Sequence, residues 1–148
     1  MDKGEDIMKK IAVVYWSNYG NVENLAQKIA QGAKEAGAEV DIKLVQDAKV
    51  QDIIDADAVA LGSPSLDNNR IEQEYMAPFV KELKLLPAHN KNLVLFGSYG
   101  WDEGKFLEDW AKLMDDYGFN IIGKLAVKEA PSEEQLNEAK KLGAKLAE

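Results

Sequence analysis

Short unbroken apolar runs alternate along this chain with stretches whose apolar residues recur at helical spacing, and that alternation restricts the fold more than any other feature. Ile11 to Tyr15 is an uninterrupted, largely β-branched run, the pattern of a strand buried on both faces. After it, Val22, Leu25, Ala26, Ile29, Ala30 and Ala33 recur on one helical face, and Gly37 supplies a stop. Val40 to Val45 alternates as a strand nearer the edge, Val50 to Ile54 reads as a short helix, and Ala58 to Gly62 is a third, buried strand. Glu72 to Leu86 is helical, interrupted or begun near Pro78, and Asn92 to Phe96 forms the fourth strand. Gly104 to Tyr117 is a helix with Phe106, Leu107, Trp110, Leu113 and Met114 inward, and Phe119 to Val127 makes the fifth strand. Ser132, with Gln135 three residues on, opens the last helix with a capping box.

Strands alternating with helices require right-handed crossovers and a parallel sheet covered on both faces. The expected fold class is therefore α/β, a doubly wound three-layer sandwich over residues 9–148, preceded by a short mobile extension at residues 1–8. In such folds the ligand lies beyond the carboxyl ends of the strands, where strand order reverses. That points to three loops, at 17–22, 63–70 and 97–104, all rich in Gly, Ser, Asn and aromatic residues.

Composition narrows the chemistry. The 148 residues suit a single domain with one sizeable core. There is no cysteine, which excludes disulfides, thiolate catalysis, iron-sulfur clusters and Cys-ligated zinc, so redox chemistry has to come from a bound cofactor. The net charge of −8, from 26 acidic and 18 basic residues, argues against DNA or RNA and suits transient docking onto a basic protein surface. The polar start Met1 to Asp6 lacks the apolar run of a signal peptide or membrane span, so a cytoplasmic protein is expected.

Ser17-Asn18-Tyr19-Gly20-Asn21 joins a buried strand to a helix N-terminus, where free amides and the helix dipole favour an anion such as a phosphate. Gly20 permits close approach of the backbone, and Ser17, Asn18 and Asn21 add neutral donors. Neither a Gly-Lys-Ser/Thr ending nor a Gly-x-Gly-x-x-Gly pattern is present, which counts against a nucleoside triphosphate or a dinucleotide. Gly97-Ser98-Tyr99-Gly100-Trp101 places two aromatics in a glycine-rich loop, a stacking platform for a flat ring. Leu66, amid polar turn-formers, is available for the ring's other face. Trp110 and Trp16 read as core, and His89 as a surface residue.

These stretches resemble the flavodoxin family, particularly its short-chain bacterial members, over nearly all of residues 9–148. The resemblance is carried by Val13 to Asn21, Leu61 to Ser65, Glu74 to Phe79 and, most specifically, Leu95-Phe-Gly-Ser-Tyr-Gly-Trp-Asp-Glu-Gly-Lys105. It implies a five-stranded sheet of order 2-1-3-4-5, non-covalently bound FMN, and an electron carrier rather than an enzyme. On the matching positions, Ser17, Asn18, Tyr19, Gly20, Asn21 and Val22 would hold the phosphate. Pro64, Ser65, Leu66, Asp67 and Asn68 would border the ring, with Leu66 shielding one face and Trp101 stacking on the other. Ser98, Tyr99 and Gly100 would line the ribityl chain and pyrimidine edge. Redox partner proteins would dock at the acidic face around the flavin edge of a monomer, with no nucleic acid or membrane involved. No metal site is expected.

Two departures from the family pattern bear on the cofactor. Val22 stands where relatives usually carry Thr, which removes one hydroxyl donor, worth about 1–3 kcal/mol and roughly one to two decades of affinity. Asp67 follows Leu66 where many relatives have Gly, so a peptide flip there on reduction is expected to be less favourable. An FMN-dependent quinone-type reductase would need an NAD(P)H site and substrate pocket for which these short loops leave little room. A domain keeping the fold but not the flavin draws support from Val22 and Asp67, and the intact Ser98 to Trp101 loop counts against it. A phosphoryl-accepting receiver domain would need acidic residues where Ser17 and Gly62 stand.

Overall fold

Successive side chains of a strand leave on opposite faces, and here both faces are buried. The computed structural model describes residues 8–148, with the backbone alone at Asp67. In β1 (Lys10–Tyr15), Ala12 and Val14 enter one core, while Ile11, Val13 and Tyr15 enter another. β2 (Glu39–Leu44), β3 (Ala58–Gly62), β4 (Asn92–Tyr99) and β5 (Asn120–Lys128) complete a parallel sheet of order β2-β1-β3-β4-β5. This is the doubly wound topology expected from the alternation. β2 lies at an edge, as its weaker apolar pattern implies.

α1 (Asn21–Glu35) and α5 (Glu133–Leu146) cover the face that receives Ile11 and Val13. α2 (Val50–Ile54), α3 (Met76–Leu83) and α4 (Lys105–Asp116) cover the other. α1 and α5 touch backbone to backbone, because each carries a glycine at the crossing. A Cβ on Gly143 would lie 2.8 Å from the carbonyl carbon of Ile29, and one on Gly32 2.7 Å from that of Lys140. The Ser132 capping box is formed, with the Gln135 amide donating to Ser132 Oγ at 3.1 Å.

Several boundaries differ from the sequence reading for physical reasons. β4 continues through Gly97, Ser98 and Tyr99, which pair with Ala126, Val127 and Lys128 of β5. Partner strand geometry thus overrides a Gly-Ser break in the apolar run. A bulge at Ile122, between the pairs Leu93↔Ile121 and Val94↔Gly123, shifts the alternation by one, so Ile121 faces one core while Leu125 and Val127 face the other. α3 begins at Met76 rather than Glu72, and Pro78 sits in its first turn, where a missing N–H costs nothing. Leu113, read as inward, lies at the margin of the buried face of α4 with 38% exposure. His89 is half-buried against Phe119, ring centroids 4.4 Å apart, rather than a plain surface residue. Of the expected N-terminal extension, all but Met8 falls outside the described residues.

Candidate functional site

The loops after β1, β3 and β4 emerge at one edge of the sheet, the carboxyl ends of three adjacent strands. After β1, Gly20 takes φ +90° and opens α1 with no side-chain cap. A Cβ there would meet nothing within 4 Å, so the glycine serves the left-handed turn and not packing. Ser17 Oγ accepts from the amides of Gly20 at 3.2 Å and Glu23 at 3.4 Å. The amides of Asn21 and Val22 find no partner among the described residues. The start of α1 thus presents unpaired N–H groups and a hydroxyl around an open turn, a donor set that suits one anionic oxygen cluster without a fixed cation.

The Val22 side chain is apolar and buried in the core beside β1, so at position 22 this chain offers the turn only an amide. Tyr19 stands 86% exposed above it. Below, the Tyr15 hydroxyl donates to Glu23 Oε1 at 3.4 Å. Burial first, and then the Glu23 charge and hydrogen bond, hold the Tyr15 phenol above its ordinary pKa, so it remains neutral.

The loops after β3 and β4 are fastened to each other. The Ser63 amide donates to Phe96 O at 3.2 Å and the Ser65 amide to Ser98 O at 2.7 Å. Ser65 Oγ donates to Asp102 Oδ2 at 3.2 Å. Asp102 also caps α4, accepting from the amides of Gly104 at 3.1 Å and Phe106 at 2.9 Å. Gly97 lies against the Ser63 carbonyl so closely that no Cβ fits between them. Leu66 and Arg70 form an antiparallel bridge, and the Asn69 amide closes a tight turn on Leu66 O at 2.7 Å. The left-handed residues of that turn are Asn68 (φ 58°) and Asn69 (φ 56°), not Asp67. Asparagine tolerates this region better than most residues, so the turn forms without a glycine.

Trp101 stands 92% exposed on the polar loop that leads into α4. Tyr99, expected beside it as an exposed aromatic, is instead half-buried and packs against the core on the α3–α4 side. Pro64 and Ser98 are buried, Ser65, Leu66 and Gly100 half-buried, and Asn18 and Asn68 exposed. The sequence reading passed over Ser63, Gly97 and Asp102, which join the loops. Asp102, two residues before a Gly and an amphipathic helix, carried a legible capping signal. Gly97 and Ser63 carried none, because their roles depend on each other across strands.

The arrangement fits an FMN. An anion turn built from unpaired amides, an indole exposed on a polar loop, and a pinned pair of loops at the same sheet edge are what its phosphate, ring and ring edge would require. The donors are uncharged N–H and O–H groups, and among the described residues no His, Cys, Asp and Glu group is placed to hold a metal. No helix among them is long and apolar enough to cross a membrane.

A family model described as flavodoxin matches residues 13–143. A flavodoxin of Megasphaera elsdenii is 35% identical, with 93% of this chain and 98% of that protein covered. One of Clostridium beijerinckii is 30% identical, covering 91% and 97%. Among solved structures, the two-electron reduced Megasphaera elsdenii flavodoxin superposes with a TM-score of 0.83 at 33% identity, over 91% of this chain and 98% of the other.

Proposed function

The chain belongs to the flavodoxin family, and from that premise we propose how its own residues hold FMN and present it to partners. The protein is an electron carrier, not an enzyme with a substrate of its own, and its cofactor is non-covalently bound FMN. When bound, the flavin supplies the electron chemistry. The polypeptide binds it, orients it and limits its access to water.

In this reading the amides of Asn21 and Val22, with Ser17, Asn18, Tyr19 and the Gly20 turn, hold the phosphate. Leu66 and the 67–68 backbone cover one side of the ring, with Pro64 and Ser65 fixing their loop. Trp101 stacks on the other side, and Ser98, Tyr99 and Gly100 border the ribityl chain and pyrimidine edge. The observation that carries this assignment is the pinning of the β3 and β4 loops beneath an indole left 92% exposed. An indole so exposed on a polar loop offers a flat apolar face on which another flat ring gains by stacking.

The docking face in this proposal is the surface around Trp101, with Asp102 and Glu103 next to it in the chain and Glu129 tied by its amide to Tyr99 O at 2.8 Å. A monomer that meets basic partners one at a time, in the cytoplasm, is part of the same proposal. The test is stopped-flow oxidation of the reduced holoprotein by a basic acceptor such as cytochrome c. The rate should fall steeply with salt, and Glu103→Lys should weaken that dependence. A salt-independent rate would remove the docking face, and steady NAD(P)H oxidation by the protein alone would remove the carrier reading.

A further inference from the structure

Residues 64–71, which carry Leu66 and the Asp67–Asn68 turn, hang between two buried polar residues that neither the sequence nor the cofactor assignment uses. Ser63 is fully buried, and Glu72 is 4% exposed. The Glu72 amide donates to Ser63 Oγ at 2.8 Å, and that hydroxyl donates onward to Pro64 O at 2.8 Å. The loop is therefore closed at its base by one serine hydroxyl that bridges both ends.

The Glu72 carboxylate holds the far side. Its Oε2 accepts from the Glu74 amide at 2.7 Å, and its Oε1 from the amides of Tyr75 at 2.8 Å and Met76 at 2.7 Å. The Glu72 carbonyl accepts from the Ala77 amide at 2.9 Å. α3 has no side-chain bond from its own cap residue, Tyr75, so this carboxylate supplies the start of the helix. At the near end, Ser63 is tied to β4 through Phe96. A buried carboxylate is tolerated only when its oxygens are satisfied, and here it accepts three backbone amides. The result is a rigid frame, from β4 through Ser63 and Glu72 to α3, across which the ring-bordering loop is stretched.

We propose that Glu72 and Ser63 are positioning residues for the flavin: their hydrogen bonds fix the closure of the 64–71 loop and so the placement of Leu66 and the 67–68 peptide against the ring. The inference rests on the reading that this loop borders the ring. Neither side chain touches the cofactor, and both act through the loop. A purely structural role would lower stability and leave the bound flavin as it is.

The variants are Glu72→Gln, which keeps one acceptor oxygen so that at least one of the three amides loses its partner, and Ser63→Ala, which orphans the Glu72 amide. A third, Glu72→Ala, removes the carboxylate altogether. Each is measured for FMN affinity, riboflavin affinity, midpoint potential and thermal midpoint. For Glu72→Gln and for Ser63→Ala the FMN dissociation constant should rise about tenfold, the cost of re-forming the loop closure on binding once one of its hydrogen bonds no longer holds it. Riboflavin should lose the same factor, because the phosphate turn at 17–22 is untouched. The midpoint potential should also shift, since loop contacts weigh unequally on the oxidised and reduced ring. Glu72→Ala should exceed Glu72→Gln, and the double variant should lose less than the product of the singles, because both open one closure. Unchanged affinity and potential in Glu72→Gln and Ser63→Ala, with only the thermal midpoint lowered, would reduce Glu72 to a helix cap and overturn the inference while the FMN reading stands. A parent protein that binds no FMN would overturn both.

Discussion

Replacing Gly97 by Ala tests whether the two flavin loops are held together by backbone contact. The added methyl would press on the Ser63 carbonyl, with Phe106 Cζ 2.8 Å away and the Ser63 carbonyl carbon at 3.2 Å. Both obstacles are immobile, one a strand-end backbone and the other a buried ring, so the β3 exit must withdraw from β4. Overpacking of this kind costs about 1–3 kcal/mol. The withdrawal also strains the Ser63–Phe96 and Ser65–Ser98 hydrogen bonds, each worth about 1 kcal/mol net. The sum is about 3–5 kcal/mol, which for a domain of this size lowers the thermal midpoint by roughly 10 °C or more. Calorimetry of the FMN-free protein reads this directly. Gly100→Ala is the control, since a Cβ there meets nothing within 4 Å and the backbone φ is not positive. A Gly97→Ala midpoint within a degree or two of the parent would refute the pinning argument.

Three further outcomes follow from the geometry. Val22→Thr places a hydroxyl at the α1 turn, and FMN affinity measured by titration should rise about tenfold or more, while the flavin-free protein loses stability because that position is buried. Gly143→Ala pushes a methyl into the Ile29 carbonyl of α1, so the thermal midpoint should fall by the equivalent of about 1–3 kcal/mol or more, measured by calorimetry. Burial, and then the Lys91 charge, hold the His89 imidazole below the ordinary histidine pKa of 6.5. The native state therefore resists protonation more than the unfolded chain does. Stability should decline as pH drops below about 6.5, and His89→Gln should flatten that decline in urea titrations at pH 5 and 7.

Fold class was legible because a parallel sheet covered on both faces leaves short, wholly apolar strands between amphipathic helices. The 58–62 strand and the 50–54 helix coincide with the structure residue for residue. What local pattern could not show were features decided by a distant partner. β4 runs on through Gly97 to Tyr99 because β5 pairs with it there, and Tyr99 folds onto the core for the same reason. The start of α3 is displaced to Met76 by a carboxylate four residues upstream, a cap that no standard N-cap residue announces. His89 finds Phe119 across thirty positions of chain. In the candidate site, the anion turn and Trp101 could be read from composition and placement, whereas the Ser63, Gly97 and Asp102 contacts exist only once β3 and β4 lie side by side.

The central claim is that this chain carries FMN between Trp101 and the 66–68 loop, and fluorescence titration of the flavin-free protein tests it most directly. Covering one indole face removes roughly 100 Å² of apolar surface from water, about 2.5 kcal/mol. Flavin fluorescence should quench saturably and one-to-one at micromolar concentration or below, and Trp101→Ala should lose roughly 60-fold in affinity. FMN that stays fully fluorescent at micromolar protein, or that binds Trp101→Ala as tightly as the parent, would contradict the claim.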